Sequence, residues 1–197
     1  MQTRWSMGAL VIFATAATAL ILTFGAFAEG HQAEQPAYSA GDYWIFVKTG
    51  STETEPSADA SDVKDNRLEY VGEQNGNYAF TWNGKPHLKD KNLTTVGNVK
   101  GYPGPILKFP LTVGKTWTEF YEGGYAGAKY THRILFNVDA YEKIKVPAGE
   151  FMAYKITAER RTQLKQAVIA SHTYWYSPEV KQIIKGTNYE LKEYKLK

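Results

Sequence analysis

Arg133-Ile134-Leu135-Phe136-Asn137-Val138-Asp139-Ala140-Tyr141-Glu142-Lys143-Ile144-Lys145-Val146 is the stretch that decides the fold class of this chain. Ile134, Phe136, Val138, Ala140, Ile144 and Val146 fall in one two-residue phase, broken only by Glu142, while Arg133, Asn137, Asp139, Lys143 and Lys145 take the other. Successive side chains of a strand point to opposite faces, so this rhythm describes a strand half in a core and half in water. Pro147-Ala148-Gly149 turns the chain over, and residues 151–159 read as the returning strand.

Outward from this hairpin the same grammar repeats. Towards the C-terminus, 167–176 pairs back across the polar loop 160–166, Ser177-Pro178 ends it, and 180–185 and 189–196 follow around Gly186-Thr187-Asn188. Towards the N-terminus, 43–47 is the first strong strand, and 67–71 and 78–82 are joined through Asn75-Gly76, with Asn83-Gly84 as a second tight-turn dipeptide. Gly101-Tyr102-Pro103-Gly104-Pro105 cannot lie inside a regular element, 107–111 is a short extended piece, and 116–121 is a strand closed by the glycines of 123–127. Residues 48–66, rich in Ser, Thr, Glu and Asp, read as a long mobile loop. Only 57–64 or 160–165 offers a helical turn.

The expectation is an all-β protein with few or no helices, an antiparallel meander of roughly nine or ten strands. A sheet of that width curls to protect its edges, which predicts an open barrel or half-barrel of lipocalin-like or envelope-carrier-like shape. The 14 Tyr, 9 Phe and five Trp point the same way, because aromatic residues favour pleated, half-buried surfaces.

The first 28 residues read as an export signal. Arg4 is the only charge before Glu29, residues 9–22 are almost wholly apolar, and Ala26-Phe27-Ala28 supplies small residues for a signal peptidase. The expected organisation is a signal peptide at 1–28, a polar connector at 29–40 and one β domain at 41–197. An uncleaved N-terminal anchor is the alternative to cleavage; after removal no membrane span is expected. Either way the body is expected outside the cytoplasm, periplasmic or extracellular. No Cys stands at the cleavage point, so a lipid-anchored lipoprotein is excluded.

Zero Cys also removes disulfides, thiolate nucleophiles and Cys-ligated metal sites. With 23 basic against 20 acidic residues, the net charge of +3 is too small to imply nucleic acid. His132 and His172 each sit in strand phase among apolar neighbours. On adjacent strands they would converge with Glu119 or Glu159 as metal donors; otherwise they cap the end of a core. His31 and His87 lie in connectors. No spacing demands a metal or cofactor, and none is expected.

The chain has no Gly-x-Ser-x-Gly elbow. Glu119 and Glu122 would serve as an acid/base pair only if they shared a face, and residues three apart on a strand do not. No catalytic residue is expected. The aromatic set is the more informative constellation: Trp82, Tyr102, Trp117, Tyr121, Tyr174, Trp175 and Tyr176. Tyr174 and Tyr176 share a face with His172, while Trp175 looks the other way. A concave face lined by such rings either holds an apolar ligand or sugar or is simply filled. The candidate ligand-binding residues are Trp82, Trp117, Tyr121, His132, His172, Tyr174 and Tyr176.

Phe109-Pro110-Leu111-Thr112-Val113-Gly114-Lys115-Thr116-Trp117, Val146-Pro147-Ala148-Gly149-Glu150-Phe151-Met152-Ala153-Tyr154-Lys155-Ile156, and Tyr174-Trp175-Tyr176-Ser177-Pro178-Glu179-Val180 with Lys185 form a pattern. It resembles bacterial exported domain-of-unknown-function families, the TapB-like group among them, over the C-terminal half only. Members often carry Gly directly after the Val of the last motif; here Lys181 stands there. The resemblance implies an antiparallel β-protein of the cell envelope and brings no activity or catalytic residue with it.

The function expected from these readings is a non-enzymatic exported β-domain, a binding or interaction module with an apolar small molecule or an envelope protein as partner. Two alternatives stand beside it: a structural or accessory subunit of an envelope complex docking by edge-strand pairing, and a hydrolase of envelope polymer.

Overall fold

The computed structural model describes residues 31–49, 65–97, 104–125, 128–162 and 168–197. The leader 1–28, most of the 48–66 loop with the helix candidate at 57–64, the start of the 101–105 turn, residues 126 and 127 and the tip of the 160–166 loop lie outside the described residues.

Ten strands form one antiparallel sheet: β1 (Tyr43–Lys48), β2 (Asn66–Gln74), β3 (Asn77–Trp82), β4 (Lys85–Lys89), β5 (Thr116–Tyr125), β6 (Ala128–Val146), β7 (Gly149–Thr162), β8 (Val168–Ser177), β9 (Gln182–Gly186) and β10 (Tyr189–Lys195). Their order is β4-β3-β2-β1-β10-β9-β8-β7-β6-β5, and no described residue is helical. The protein is all-β, and its sheet is open rather than a closed barrel, with β4 and β5 at the two edges.

The first and last strands meet in the middle of this order. From β1 the chain steps outward to the β4 edge, crosses to the β5 edge through residues 90–115, and returns strand by strand until β10 pairs with β1, Trp44 opposite Tyr194. The tight turns follow from their residues. Asn75 and Gly76 have φ of 51° and 76°, Asn83 and Gly84 of 51° and 78°, the paired left-handed conformations that match the strand twist of a two-residue hairpin.

β4 is the strand that sequence patterning does not show. It carries Lys85, Pro86 and Lys89 and little apolar rhythm, but Pro86 is tolerated because the strand lies at an edge, where a missing N–H costs no ladder bond.

The Ile134–Val146 rhythm holds in its first half and reverses in its second. Val138 faces Ile156, but Ala140 faces Lys155, so the extra residue Asp139 is a β-bulge. Beyond it Ala140, Glu142, Ile144 and Val146 look away from the face that Ile134, Phe136 and Val138 occupy. That explains Glu142: its carboxylate accepts the Trp175 indole N–H at 2.9 Å, on the side opposite Tyr174 and Tyr176. Val146 and Phe151 are still buried, because the far end of the hairpin folds onto β10. Phe151 meets the Tyr194 ring at 5.7 Å, and the Ala148 N–H donates to the Leu191 carbonyl at 3.1 Å.

Two segments without strand structure pack against the inward-facing side chains. Residues 104–111 place Leu107 and Leu111 in the core and set Phe109 edge-on to Tyr176 at 5.3 Å. Residues 31–42, most of which belong to the stretch 29–40 read from its polar composition as a connector, exchange two backbone hydrogen bonds with Leu111 through Ala33. They also drive Tyr38 among Trp44, Tyr70, Tyr78 and Phe80 at 5.0–5.5 Å. Asp42, fully buried, locks this arm: its carboxylate accepts the N–H of Ser39 at 2.9 Å and of Lys197 at 2.8 Å, which ties the arm to the C-terminus.

Candidate functional site

Alternation along β1, β2 and β3 brings Phe46, Leu68 and Trp82 to the concave face. There they wall a pocket of about 290 Å³ with Ile183 of β9, Tyr189 of β10 and Pro105 of the crossing segment. Phe46 stacks with Trp82 at 6.2 Å and meets Tyr189 edge-on at 5.6 Å, so the wall is a packed aromatic surface. Its volume lies at the lower end of the about 300–1,000 Å³ usual for small-molecule sites. A second pocket of about 320 Å³ shares Pro105, Asn188 and Tyr189 with it and adds His172 and Tyr174.

The polar groups of the first pocket are few. Lys48, Asn66 and Asn188 line it, as do Lys89 and Gln182. Gln182 is 2% exposed; its Oε1 accepts the Ile183 N–H at 3.2 Å, while its Nε2 has no hydrogen-bond partner among the described residues. A buried amide nitrogen of that kind is an unusual cost, of about 1–3 kcal/mol, and calls for an acceptor. Burial pushes the Lys89 ammonium down to about 8, against a smaller opposing pull from Asp90. The Asp90 carboxylate is taken up by the N–H groups of Asn92 and Thr94, and no carboxylate lies within ion-pair distance of Lys89 among the described residues.

The seven residues singled out from the sequence divide into three groups. Trp117 and Tyr176 belong to the filled interior. Trp117 stacks on Phe136 at 5.1 Å, and Tyr176 is 1% exposed with its phenol pushed well up by burial. Trp82 stands alone among the seven in the first pocket and is 37% exposed.

Tyr121, His132, His172 and Tyr174 gather elsewhere on the concave face, around Arg160. Arg160 donates to the Tyr121 hydroxyl at 3.0 Å, Tyr121 stacks on His132 at 4.9 Å, and His172 stacks on Tyr174 at 6.3 Å and lies 3.4 Å from Thr187 Oγ1. The strands of the two histidines are not neighbours: β7 lies between β6 and β8. Burial first, and Arg160 second, push both imidazoles below their ordinary value. A guanidinium therefore stands where converging metal donors would need to be. Glu119 faces inward but is ion-paired with Lys108 at 2.6 Å, and Glu159 pairs with Arg161 at 2.7 Å. Among the described residues no three His, Cys, Asp or Glu side chains gather closely enough to hold a metal ion. Nor is any described helix long and apolar enough to cross a membrane.

Comparison with known proteins adds no relative: no family model, no curated protein and no solved structure matches the chain.

Sequence reasoning missed Phe46, Leu68, Lys89, Gln182, Ile183 and Tyr189 as pocket residues. The signal for Phe46 was present, since Trp44, Phe46 and Lys48 share one phase of β1. Lys89 and Gln182 had none. β4 has no apolar rhythm, and Gln182 sits in a strand whose first three residues are all buried, so alternation assigns it no face.

Proposed function

We propose that this protein is an exported, non-enzymatic binding domain of the periplasm or extracellular space that holds a small apolar ligand in the pocket walled by Phe46, Leu68, Trp82, Ile183 and Tyr189. The observation that carries this reading is the pocket itself, a largely aromatic and aliphatic concavity with a few polar groups, adjoined by the second pocket at His172 and Tyr174. The leader read in residues 1–28 supports the location. The engagement of Glu119 with Lys108 and the cation between the two histidines support a binding rather than a hydrolytic role.

The test is native mass spectrometry of the full chain expressed with its leader and recovered from the envelope and medium. A bound small molecule that is released on denaturation, and is lost in Trp82→Ala, is the expected result. Recovery from the cytosol with an intact leader would overturn the location. Absence of any bound species, together with no thermal shift from neutral apolar probes, would overturn the ligand.

The β5 edge favours a second reading, as an accessory subunit of an envelope complex. β4 is partly covered, by the Lys89–Thr95 bridge and the bond from the Val96 N–H to the Leu88 carbonyl, whereas β5 ends the sheet and carries Phe120 at 63% exposed. A stoichiometric protein partner whose copurification is lost in Phe120→Lys would favour it.

A further inference from the structure

The pocket has a chemical preference that follows from its two unusual polar groups, and this inference rests on the binding role proposed above. We infer that its ligand is a small anionic amphiphile, whose acid group is taken in by Lys89 with the Gln182 amide as supporting donor while its apolar body lies on Phe46, Leu68 and Trp82.

Three observations carry this. First, the walls are predominantly aromatic and aliphatic, which selects an apolar body. Second, Lys89 lines the same pocket with no carboxylate at ion-pair distance among the described residues, and its neighbour Asp90 is engaged by loop N–H groups. A half-buried ammonium with no carboxylate beside it is incompletely compensated, and an acid group brought into the pocket supplies a counter-ion. Third, Gln182 is nine-tenths buried and more, lines the pocket, and leaves its Nε2 without an acceptor among the described residues. An acid group has spare lone pairs for such a donor; an alcohol or an amine offers less, and a hydrocarbon nothing. Lys89 and Lys48, which both line the pocket, also disfavour a positively charged head. Since each water-sized share of liquid is about 30 Å³, the about 290 Å³ of this pocket suits roughly ten non-hydrogen atoms. That is the size of an eight-carbon acid.

The test compares octanoate, octyl phosphate, octanol and octylammonium by isothermal titration calorimetry on the full chain below pH 8. The two acids are expected to bind at least tenfold more tightly than octanol, with octylammonium weakest, and the better of the two acids identifies the head as carboxylate or phosphate. Lys89→Met, which keeps most of the length of the side chain without its charge, is expected to erase the preference for acids over octanol. Gln182→Leu is expected to weaken the acids several-fold more than octanol. The unmodified chain supplies a second measurement: titrations at pH 8.5 in buffers of different ionisation enthalpy should show proton uptake when an acid binds.

Equal affinity for all four compounds would overturn this inference and leave the apolar pocket standing. An acid preference that survives Lys89→Met, with no proton uptake, would overturn it too. Binding of none of the four, octanol included, would instead overturn the binding role on which it rests.

Discussion

Around Tyr38 the inward-facing rings of β1, β2 and β3 meet another ring supplied by a segment that is not a strand, whereas beside Trp82 the same three strands present their rings to a pocket. The strands are identical in both regions, so the difference lies in what is laid against them. Tyr38 contacts Trp44, Tyr70, Tyr78 and Phe80, and its hydroxyl donates to the Lys181 carbonyl at 2.8 Å. Trp44 is fully buried, with its indole N–H on the Val180 carbonyl at 2.8 Å. Beside Trp82, the crossing segment contributes only Pro105 to the wall among the described residues. The comparison teaches that a strand phase can make a surface available to a ligand or to the core, and that an irregular segment decides which.

Substitution of the two tryptophans probes this contrast most strongly. Trp44→Ala leaves a cavity and an unpaired carbonyl and should cost about 3–5 kcal/mol in urea denaturation, while Trp82→Ala should cost under about 1 kcal/mol and act on ligand binding instead. Equal costs would mean that the two regions are one core.

Asp42→Ala comes next. It strips the acceptors from two backbone N–H groups that fasten the 31–42 arm, and should cost about 2–3 kcal/mol. If the arm is what closes the Tyr38 region, this variant should also raise hydrogen exchange at Tyr38 and Tyr70 while sparing Trp82. Uniform exchange changes would separate the arm from that role.

Lys181 sharpens the same region by a smaller amount. Its φ is 60°, a left-handed conformation that costs a non-glycine residue about 1–2 kcal/mol. Lys181→Gly relieves that strain but adds unfolded-state entropy and removes a contact with Asp42 at 3.9 Å. A gain of up to about 1 kcal/mol is expected; a loss would show that the contact with the buried carboxylate outweighs the backbone.

The smallest effect belongs to the pocket. Lys89 ordinarily keeps its proton up to about 10.5 but in the fold only to about 8. Between these values the unfolded chain binds more protons than the folded one, so this residue makes stability rise with pH across the window and weakest below about 8. Its surroundings are Tyr78 opposite it on β3, Lys48 on β1, His87 on its own strand and Asp90 beyond it. Partial exposure keeps the slope shallow. Thermal midpoints from pH 7 to 10.5 should show it in the unmodified chain and not in Lys89→Met.

Much of the fold was legible because it is written in local rhythm and turn chemistry. The Asn-Gly dipeptides fell where hairpins turn, and the strand count and antiparallel pairing agreed. What escaped was of two kinds. The bulge at Asp139 inverted the faces of Ala140, Glu142, Ile144 and Val146, because alternation assumes an unbroken ladder. β4 escaped because an edge strand needs no apolar period. Of the candidate site, all seven residues belong to the inward phase, yet that phase alone could not separate Trp117 and Tyr176, which are packed, from Trp82 or from the group around Arg160.

By itself the amino-acid order determined the all-β class, the hairpins and which side chains share a face, since these depend on neighbours two residues away and on the φ that Asn and Gly permit. Only the tertiary structure decided that β10 returns to β1, that residues 31–42 fill one region of the concave face, and that Lys89 and Gln182 line the same pocket. These are contacts between residues far apart in the chain, set by how the sheet curls and where the crossing segment lies, and no local pattern encodes them.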